Sequence, residues 1–188
     1  MSRWMIASDL HGDARCTEQL LKRFAESGAE RLILLGDLLY HGPRNDLPEG
    51  YAPKKVIELL NSVKDSLLCV RGNCDTEVDQ MVLPFPIMAE TETLSVDGRT
   101  WFAAHGHRAG ANPSVDDLPP LPRGSVVLTG HTHVPTCDRG GSGDGILRLN
   151  PGSVSIPKGG FPATYALYVD GTCSVLDFAG NVILHGDA

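Results

Sequence analysis

The sequence predicts an α/β fold in which two β-sheets pack face to face within one domain. In the first half of the chain, short apolar runs typical of strands alternate with segments of helical periodicity. In the second half the helical period disappears, and strand-like runs flank turn signals. A βαβαβ half joined to a strand-rich half, with no linker rich in proline or serine, indicates a single domain over residues 1–188 with helices outside the sheets.

The first half supplies three strands and two helices. Its strand-like runs are apolar on both faces, as expected for a parallel sheet with helices over it, and they are residues 4–7, 32–35 and 67–70. The first helix has apolar residues at helical spacing from Cys16 to Phe24 and ends before Gly28. The second helix is centred on residues 56–60. Residues 40–53, with three prolines and two glycines, are predicted to form a loop.

The second half is predicted to be mostly antiparallel. Three dipeptides separate its strands with residues that favour tight turns, namely Asp97-Gly98, Asp170-Gly171 and Ala179-Gly180.

Composition excludes several classes of protein. The 188 residues carry a formal charge of −7, with 41% hydrophobic and 21% charged residues, so disorder is not expected. The acidic balance argues against sequence-independent binding of a nucleic-acid duplex and against a basic membrane-surface protein. On average, a negatively charged protein attracts neither nucleic acid nor an anionic membrane surface. We therefore expect neither nucleic-acid duplexes nor membranes as partners, and we leave homo-oligomers open.

Cysteine usage and the lack of targeting segments predict a cytoplasmic protein. Only eight residues precede Asp9, too few for a signal peptide, and no apolar run approaches the roughly 18 residues that span a bilayer. The five cysteines form no CxxC pair, which is typical of reduced thiols rather than of a disulfide framework.

Polar residues capable of binding metal recur directly after the predicted strands. Loops at the carboxyl ends of strands converge on one crevice, so residues far apart in sequence can meet there. One Asp or His after a strand is weak evidence, since Asp is a common turn residue, but five such places in one chain are hard to explain as turns. The candidate ligands are Asp9, His11, Asp37, Asn73, His105, His131 and His133.

This inventory suits two metal ions. Asp9 and His11 are separated by one residue and can reach a shared ion, as can His131 and His133. A carboxylate such as Asp37 can bridge two ions about 3.5–4 Å apart. Oxygen and nitrogen ligands suit Mn²⁺, our first choice, with Zn²⁺, Fe, Co²⁺ or Ni²⁺ as alternatives, and they disfavour a thiolate-bound structural zinc.

The ordered motifs DxH, GD, GN-x-D, H and GHTH resemble those of the calcineurin-like metallophosphoesterases. The later Asn150-Pro151-Gly152-Ser153 segment is similar to the short bacterial and archaeal branch, and the whole chain resembles YfcE-type phosphodiesterases. The resemblance implies a four-layer αββα sandwich. It also implies that one ion is held by Asp9, His11, Asp37 and His133, and the other by Asp37, Asn73, His105 and His131.

The implied reaction is hydrolysis of a small phosphodiester by a hydroxide that bridges the two ions, without a covalent intermediate. The predicted catalytic residues are Asn73, Cys74, Asp75 and His105, although the last acid of this motif, Asp75, more usually supports a metal-ligating His. Many relatives have His at the position of Cys74, placed to assist the leaving oxygen, and a thiol is a poor replacement as an acid. We therefore expect a preference for aryl esters, whose leaving group departs without protonation, although Cys74 as a mere space-filling residue is equally compatible with the sequence.

Two other functions remain open from the sequence. The same chemistry serves a phosphomonoesterase, either a protein phosphatase or a nucleotidase. The same fold also serves as a non-enzymatic scaffold in the retromer complex, although a scaffold has no need to keep seven ligands together. Substrate choice is expected to depend on the loops at residues 40–53, 109–122 and 138–144.

Overall fold

The strands form two mixed β-sheets in a computed structural model, which describes residues 2–108, 119–139, 143 and 145–188. The elements in chain order are β1 (Arg3–Ala7), α1 (Ala14–Ser27), β2 (Arg31–Leu34), α2 (Pro53–Ser62), a 3₁₀ turn (Lys64–Ser66), β3 (Leu67–Cys69), α3 (Glu77–Val82), β4 (Thr91–Val96), β5 (Arg99–Ala104), β6 (Val126–Leu128), β7 (Thr136–Asp138), β8 (Leu147–Asn150), β9 (Thr164–Val169), β10 (Thr172–Asp177) and β11 (Val182–Asp187). The loops at residues 109–122 and 138–144 lie partly outside the described residues.

The first sheet has six strands in the order β11-β10-β9-β1-β2-β3. The pairs β1–β2 and β2–β3 are parallel, as predicted, and β9 to β11 add an antiparallel half. The second sheet has the order β4-β5-β6-β8-β7. Its central pairs β5–β6 and β6–β8 are parallel, which the prediction of a mostly antiparallel second half did not include.

Alternate residues of the central strands enter two different cores. Met5 and Ala7 of β1 face α1 and α2, where they join Leu20 and Leu60. Ile6 faces the second sheet and packs in a cluster with residues of both sheets, including Trp101. Each central strand of the first sheet is therefore buried on both faces, which explains its continuous apolar run.

Local sequence signals set the ends of α1 and the turns. The carboxylate of Asp13 accepts a hydrogen bond from the backbone N–H of Cys16 (2.8 Å) and caps the helix, which ends at Gly28 with φ 67°. At the β4–β5 turn, Asp97 and Gly98 have φ values of 47° and 76°, as the predicted two-residue hairpin requires.

Helix α3 is an element that the sequence analysis missed. Thr76 and Asp79 form a capping box at its start, and this Thr-x-x-Asp pattern is the signal that identifies such a helix. Its apolar residues Val78, Met81 and Val82 are exposed, so no buried apolar face marks it as helical. Within the described residues, no helix is long and apolar enough to cross a membrane.

Candidate metal centre

The seven candidate ligands lie at the carboxyl ends of strands from both sheets. Asp9 and His11 follow β1, Asp37 follows β2, and Asn73 follows β3. His105 follows β5, and both His131 and His133 follow β6. Backbone hydrogen bonds join these loops, among them those from Asp9 N to Gly36 O (3.1 Å) and from His11 N to Asp37 O (2.9 Å). The structure therefore brings together the residues that the sequence singled out.

One half of the centre is formed by Asp9, His11 and His133. The Oδ1 atom of Asp9 lies 3.2 Å from His133 Nε2 and 3.5 Å from His11 Nε2. The two Nε2 atoms are 3.4 Å apart. One ligand atom from each residue thus falls within 4.8 Å of the others, which is close enough to surround a single ion.

The carboxylate of Asp37 links this half to a second one. Its Oδ2 atom lies 3.7 Å from His11 Nε2 and 3.6 Å from His105 Nε2. His105 Nε2 is also 3.1 Å from Asn73 Oδ1. The half-buried ring of His131 has its centroid 5.1 Å from that of His105. Asp37 therefore stands between two groups of imidazoles.

Backbone carbonyls fix the orientation of three of the imidazoles. The Nδ1 atoms of His11, His105 and His133 lie 2.8, 2.6 and 2.7 Å from the carbonyl oxygens of Tyr40, Leu35 and Ile156, respectively. A carbonyl only accepts, so each Nδ1 carries a proton, and in the neutral ring each Nε2 presents a lone pair to the centre. The sequence carries no signal for these contacts, because every residue has a carbonyl.

The surroundings of the Asp9 carboxylate show that these residues fit a cation. Its Oδ1 is completely buried and has no hydrogen-bond partner among the described residues. Burial opposes ionisation, but the neighbouring imidazoles of His11, His133 and His105 outweigh it, so the pKa of Asp9 lies well below its ordinary value. An ionised, partly unsatisfied carboxylate facing the lone pairs of two imidazoles fits a bound divalent cation.

Close backbone contacts explain the glycines in the motifs. A Cβ on Gly72 would collide with Oδ1 and N of Asp37, and one on Gly130 would collide with Oγ of Ser8. Glycine is therefore required where loops from different strands meet at the centre.

Five of the seven candidate ligands have left-handed backbone conformations. Their φ values lie between 46° and 67°, and they are Asp9, His11, Asp37, His131 and His133. Such conformations cost about 1 kcal/mol or more for a residue with a Cβ, and they gather at functional sites.

Asp75 supports Asp37 and does not line the cavity described below. Its Oδ2 accepts hydrogen bonds from the N–H groups of Asp37 (2.8 Å) and Gly72 (2.7 Å), and its Oδ1 accepts one from Leu38 (2.8 Å). Burial, assisted by the charge of Asp37 and opposed by these bonds, raises the pKa of Asp75. Both oxygens thus hold the backbone that carries Asp37, and a catalytic role for Asp75 stays a prediction.

Cys74 lies beside the centre with its thiol packed against the loop that follows β2. Its backbone N–H donates to Asp37 Oδ1 (2.8 Å), and its Sγ accepts from Asn73 Nδ2 (3.1 Å). This contact directs Asn73 Oδ1 towards His105. Burial, followed by the charge of Asp37, raises the pKa of the thiol, so Cys74 is protonated in the metal-free protein.

The Asn150–Ser153 segment, which the sequence left without a role, holds two ligand loops together. Asn150 Nδ2 donates to Gly130 O (2.8 Å), just before His131. Ser153 Oγ donates to the backbone oxygen of Asp9 (2.8 Å). These bonds join the loops after β1 and β6.

A cavity of about 620 Å³ opens over the centre. It is lined by candidate ligands of both halves together with Cys74 and with residues of the loop that follows β2. A volume in this range accommodates a small organic molecule.

Known phosphoesterases are similar to this chain over most of its length. Phosphodiesterase YfcE of Escherichia coli (strain K12) is 49% identical over 176 residues, which cover 94% of this chain and 92% of that protein. A solved structure of YfcE, described as a phosphoesterase from E. coli, matches with a TM-score of 0.92 and 46% identity over 98% of each chain.

More distant structures share the fold. A predicted phosphoesterase from Streptococcus pneumoniae TIGR4 has a TM-score of 0.66 and 23% identity, covering 100% of this chain and 97% of that one. A single mutant of Vps29 from Entamoeba histolytica has a TM-score of 0.65 and 17% identity, covering 99% of each chain. The calcineurin-like phosphoesterase superfamily domain matches residues 3–170. The two mixed sheets are therefore the metallophosphoesterase fold, and the chain belongs to the calcineurin-like phosphoesterase superfamily.

Proposed function

We propose that the chain hydrolyses small phosphodiesters at a centre of two divalent metal ions, with Mn²⁺ as the first choice. The observation that carries this proposal is the position of Asp37 Oδ2, 3.7 Å from His11 Nε2 and 3.6 Å from His105 Nε2. One carboxylate thereby serves both halves of the centre. The proposed ligands are Asp9, His11, Asp37 and His133 for one ion, and Asp37, Asn73, His105 and His131 for the other.

The chain is an enzyme, a phosphoric diester hydrolase of the metallophosphoesterase type. Its similarity to a named phosphodiesterase extends over 94% of the chain, and the family domain covers residues 3–170.

The chain's own residues act by positioning. When bound, divalent cations supply Lewis acidity, which lowers the pKa of water and neutralises phosphoryl oxygens. Asp75 fixes Asp37 through its backbone, and the carbonyls of Tyr40, Leu35 and Ile156 hold three imidazoles with Nε2 towards the metal centre. Because this orientation exists before the substrate arrives, little reorganisation is needed during the reaction.

Cys74 bears on the choice of leaving group. Its thiol lines the cavity and remains protonated without metal, but as an acid it is weaker than an imidazolium. We therefore expect aryl diesters, whose phenolate departs unprotonated, to react faster than alkyl diesters. Cys74→His should raise the rate on alkyl diesters relative to aryl diesters, measured at equal metal content, and Cys74→Ser serves as the size-matched control. A ratio of alkyl to aryl rates that is equal in all three proteins would contradict this role.

A single set of assays tests the proposed function. Metal-loaded protein and Asp37→Ala are compared on bis(4-nitrophenyl) phosphate and on 4-nitrophenyl phosphate, with metal content measured by mass spectrometry. We expect turnover of the diester with about two ions per chain, and loss of both in Asp37→Ala. A preference for the monoester would indicate a phosphomonoesterase. No turnover with any divalent ion would favour a scaffold.

A further inference from the structure

Two basic side chains, Arg44 and Lys158, line the outer part of the cavity and are named here the basic rim. Arg44 belongs to the loop that follows β2, and Lys158 to the segment between β8 and β9. Both side chains are exposed, and both face the same space as Asp37 and His133. The rim therefore borders the metal centre without belonging to it.

The backbone places the two members of the rim on different sides of the centre. The N–H of Lys158 donates to His133 O (3.1 Å), which ties this residue to the half formed by Asp9, His11 and His133. Arg44 follows Gly42, where a Cβ would lie 3.2 Å from Cys74 Sγ, so its loop stands against Cys74. Both positions line the cavity that opens over the centre.

The charges of the rim are available for a ligand. Arg71 and Arg108, by contrast, form ion pairs with Glu90 (3.4 and 3.1 Å). Across the described part of the chain, neither Arg44 nor Lys158 pairs with a carboxylate. Asp37 is the only acidic residue among those described as lining the cavity, and it faces the metal centre.

We propose that the basic rim binds a second anionic group of the substrate, a phosphate or a carboxylate, on the part that extends away from the scissile phosphorus. This inference rests on the proposed function and names its substrate class: diesters with at least one further negative charge. Arginine and lysine are the residues that recognise such anions through charge-assisted hydrogen bonds. The chain's net charge of −7 repels anions on average. The side chains of Arg44 and Lys158 therefore make the outer cavity attractive to an anion where the rest of the protein is not.

A matched pair of substrates tests the rim. The first is 4-nitrophenyl 4-carboxyphenyl phosphate, and the second is its carboxamide analogue, which has nearly the same size and no added charge. Both release 4-nitrophenolate, so one absorbance assay gives kcat and KM for each, and calorimetry gives the binding of each at equal metal content. The variants are Arg44→Ala, Lys158→Ala, Arg44→Lys and Lys158→Arg. Lys64→Ala, in the 3₁₀ turn before β3, is the matched control for loss of an exposed lysine outside the cavity.

We expect the wild-type protein to favour the carboxylate diester, through KM rather than kcat, because a contact far from the reacting atoms is the same in the ground and transition states. Each alanine variant should reduce this preference by about two- to fivefold, the range of an exposed ion pair. The charge-preserving variants and Lys64→Ala should retain it.

The outcomes separate this inference from the proposed function. If the wild type hydrolyses both diesters with equal kcat/KM, the proposed role of the basic rim is wrong and the proposed function is unaffected. The same holds if the preference for the carboxylate diester persists in both alanine variants. Absence of hydrolysis together with charge-selective binding that Arg44→Ala and Lys158→Ala abolish would overturn the function and support the rim.

Discussion

Replacing Gly72 with alanine should disrupt the centre through a single methyl group. Gly72 does not have a left-handed φ, so alanine is compatible with the backbone conformation itself. The added Cβ would nevertheless collide with Oδ1 and N of Asp37 and lie 2.9 Å from its Cγ. Asp37 or the loop after β3 must move, and both belong to the same set of buried hydrogen bonds.

The size of the effect follows from the contacts that the movement breaks. Asp37 N and Gly72 N donate to Asp75 Oδ2 at 2.8 and 2.7 Å, and Cys74 N donates to Asp37 Oδ1 at 2.8 Å. A hydrogen bond to a charged group contributes about 1.5–3 kcal/mol, and overpacking a buried position costs about 1–3 kcal/mol. We expect the free energy of unfolding to fall by about 3–5 kcal/mol. Turnover should fall about 100-fold, since displacement of a catalytic group by about 1 Å has that effect.

Urea unfolding and hydrolysis of bis(4-nitrophenyl) phosphate at saturating Mn²⁺ measure the two effects. Gly171→Ala is the control, since its φ is 91° and a Cβ there meets nothing within 4 Å. This variant should lose about 1 kcal/mol of stability through backbone strain alone, with unchanged turnover. If Gly72→Ala unfolds within about 0.5 kcal/mol of the wild type and keeps its turnover, the steric argument is wrong.

Three further predictions concern the support of the centre. Asp75→Asn should lower the free energy of unfolding by about 2–4 kcal/mol in urea titrations, because an amide NH₂ would face a backbone donor. The control Asp79→Asn, in the capping box of α3, should cost under about 1 kcal/mol. Ser153→Ala, which removes the hydrogen bond to Asp9 O, should weaken metal binding in calorimetry by about 10-fold, and unchanged affinity would exclude this support. A chelator should lower Tm in calorimetric scans, since an ion present at 100 times its Kd stabilises the fold by about 2.7 kcal/mol, and an unaltered Tm would contradict metal binding by the folded chain.

Much of the fold was predictable because its signals are local. Asp13 and Gly28 mark the ends of α1, and the buried central strands appear as continuous apolar runs. The parallel pairing of β5, β6 and β8 was not predictable, since it depends on where distant segments pack rather than on any dipeptide. The predictions of a single domain and of a cytoplasmic location remain predictions.

The candidate site, like the fold, was predictable only where its signals are local. Side chains with unusual chemistry at strand ends identified the residues that the structure gathers, such as His133 and Asp37. The atoms that orient them could not be found in this way, because Tyr40 and Ile156 contribute backbone oxygens and their side chains are irrelevant. The hydrogen bonds of Asp75 could not be predicted either, since a carboxylate that accepts three backbone N–H groups has the same letter in the sequence as one that faces a substrate.

The left-handed conformation of five candidate ligands has an evolutionary consequence. Each of these positions carries a backbone cost of about 1 kcal/mol that glycine, which has no Cβ, would largely avoid. In a lineage released from selection for hydrolysis, substitutions that relieve this strain and substitutions that remove a ligand are therefore often the same mutations. Loss of activity in such a lineage should be accompanied by rising stability, so that descendants without the enzyme's chemistry retain its fold and become harder to return to catalysis.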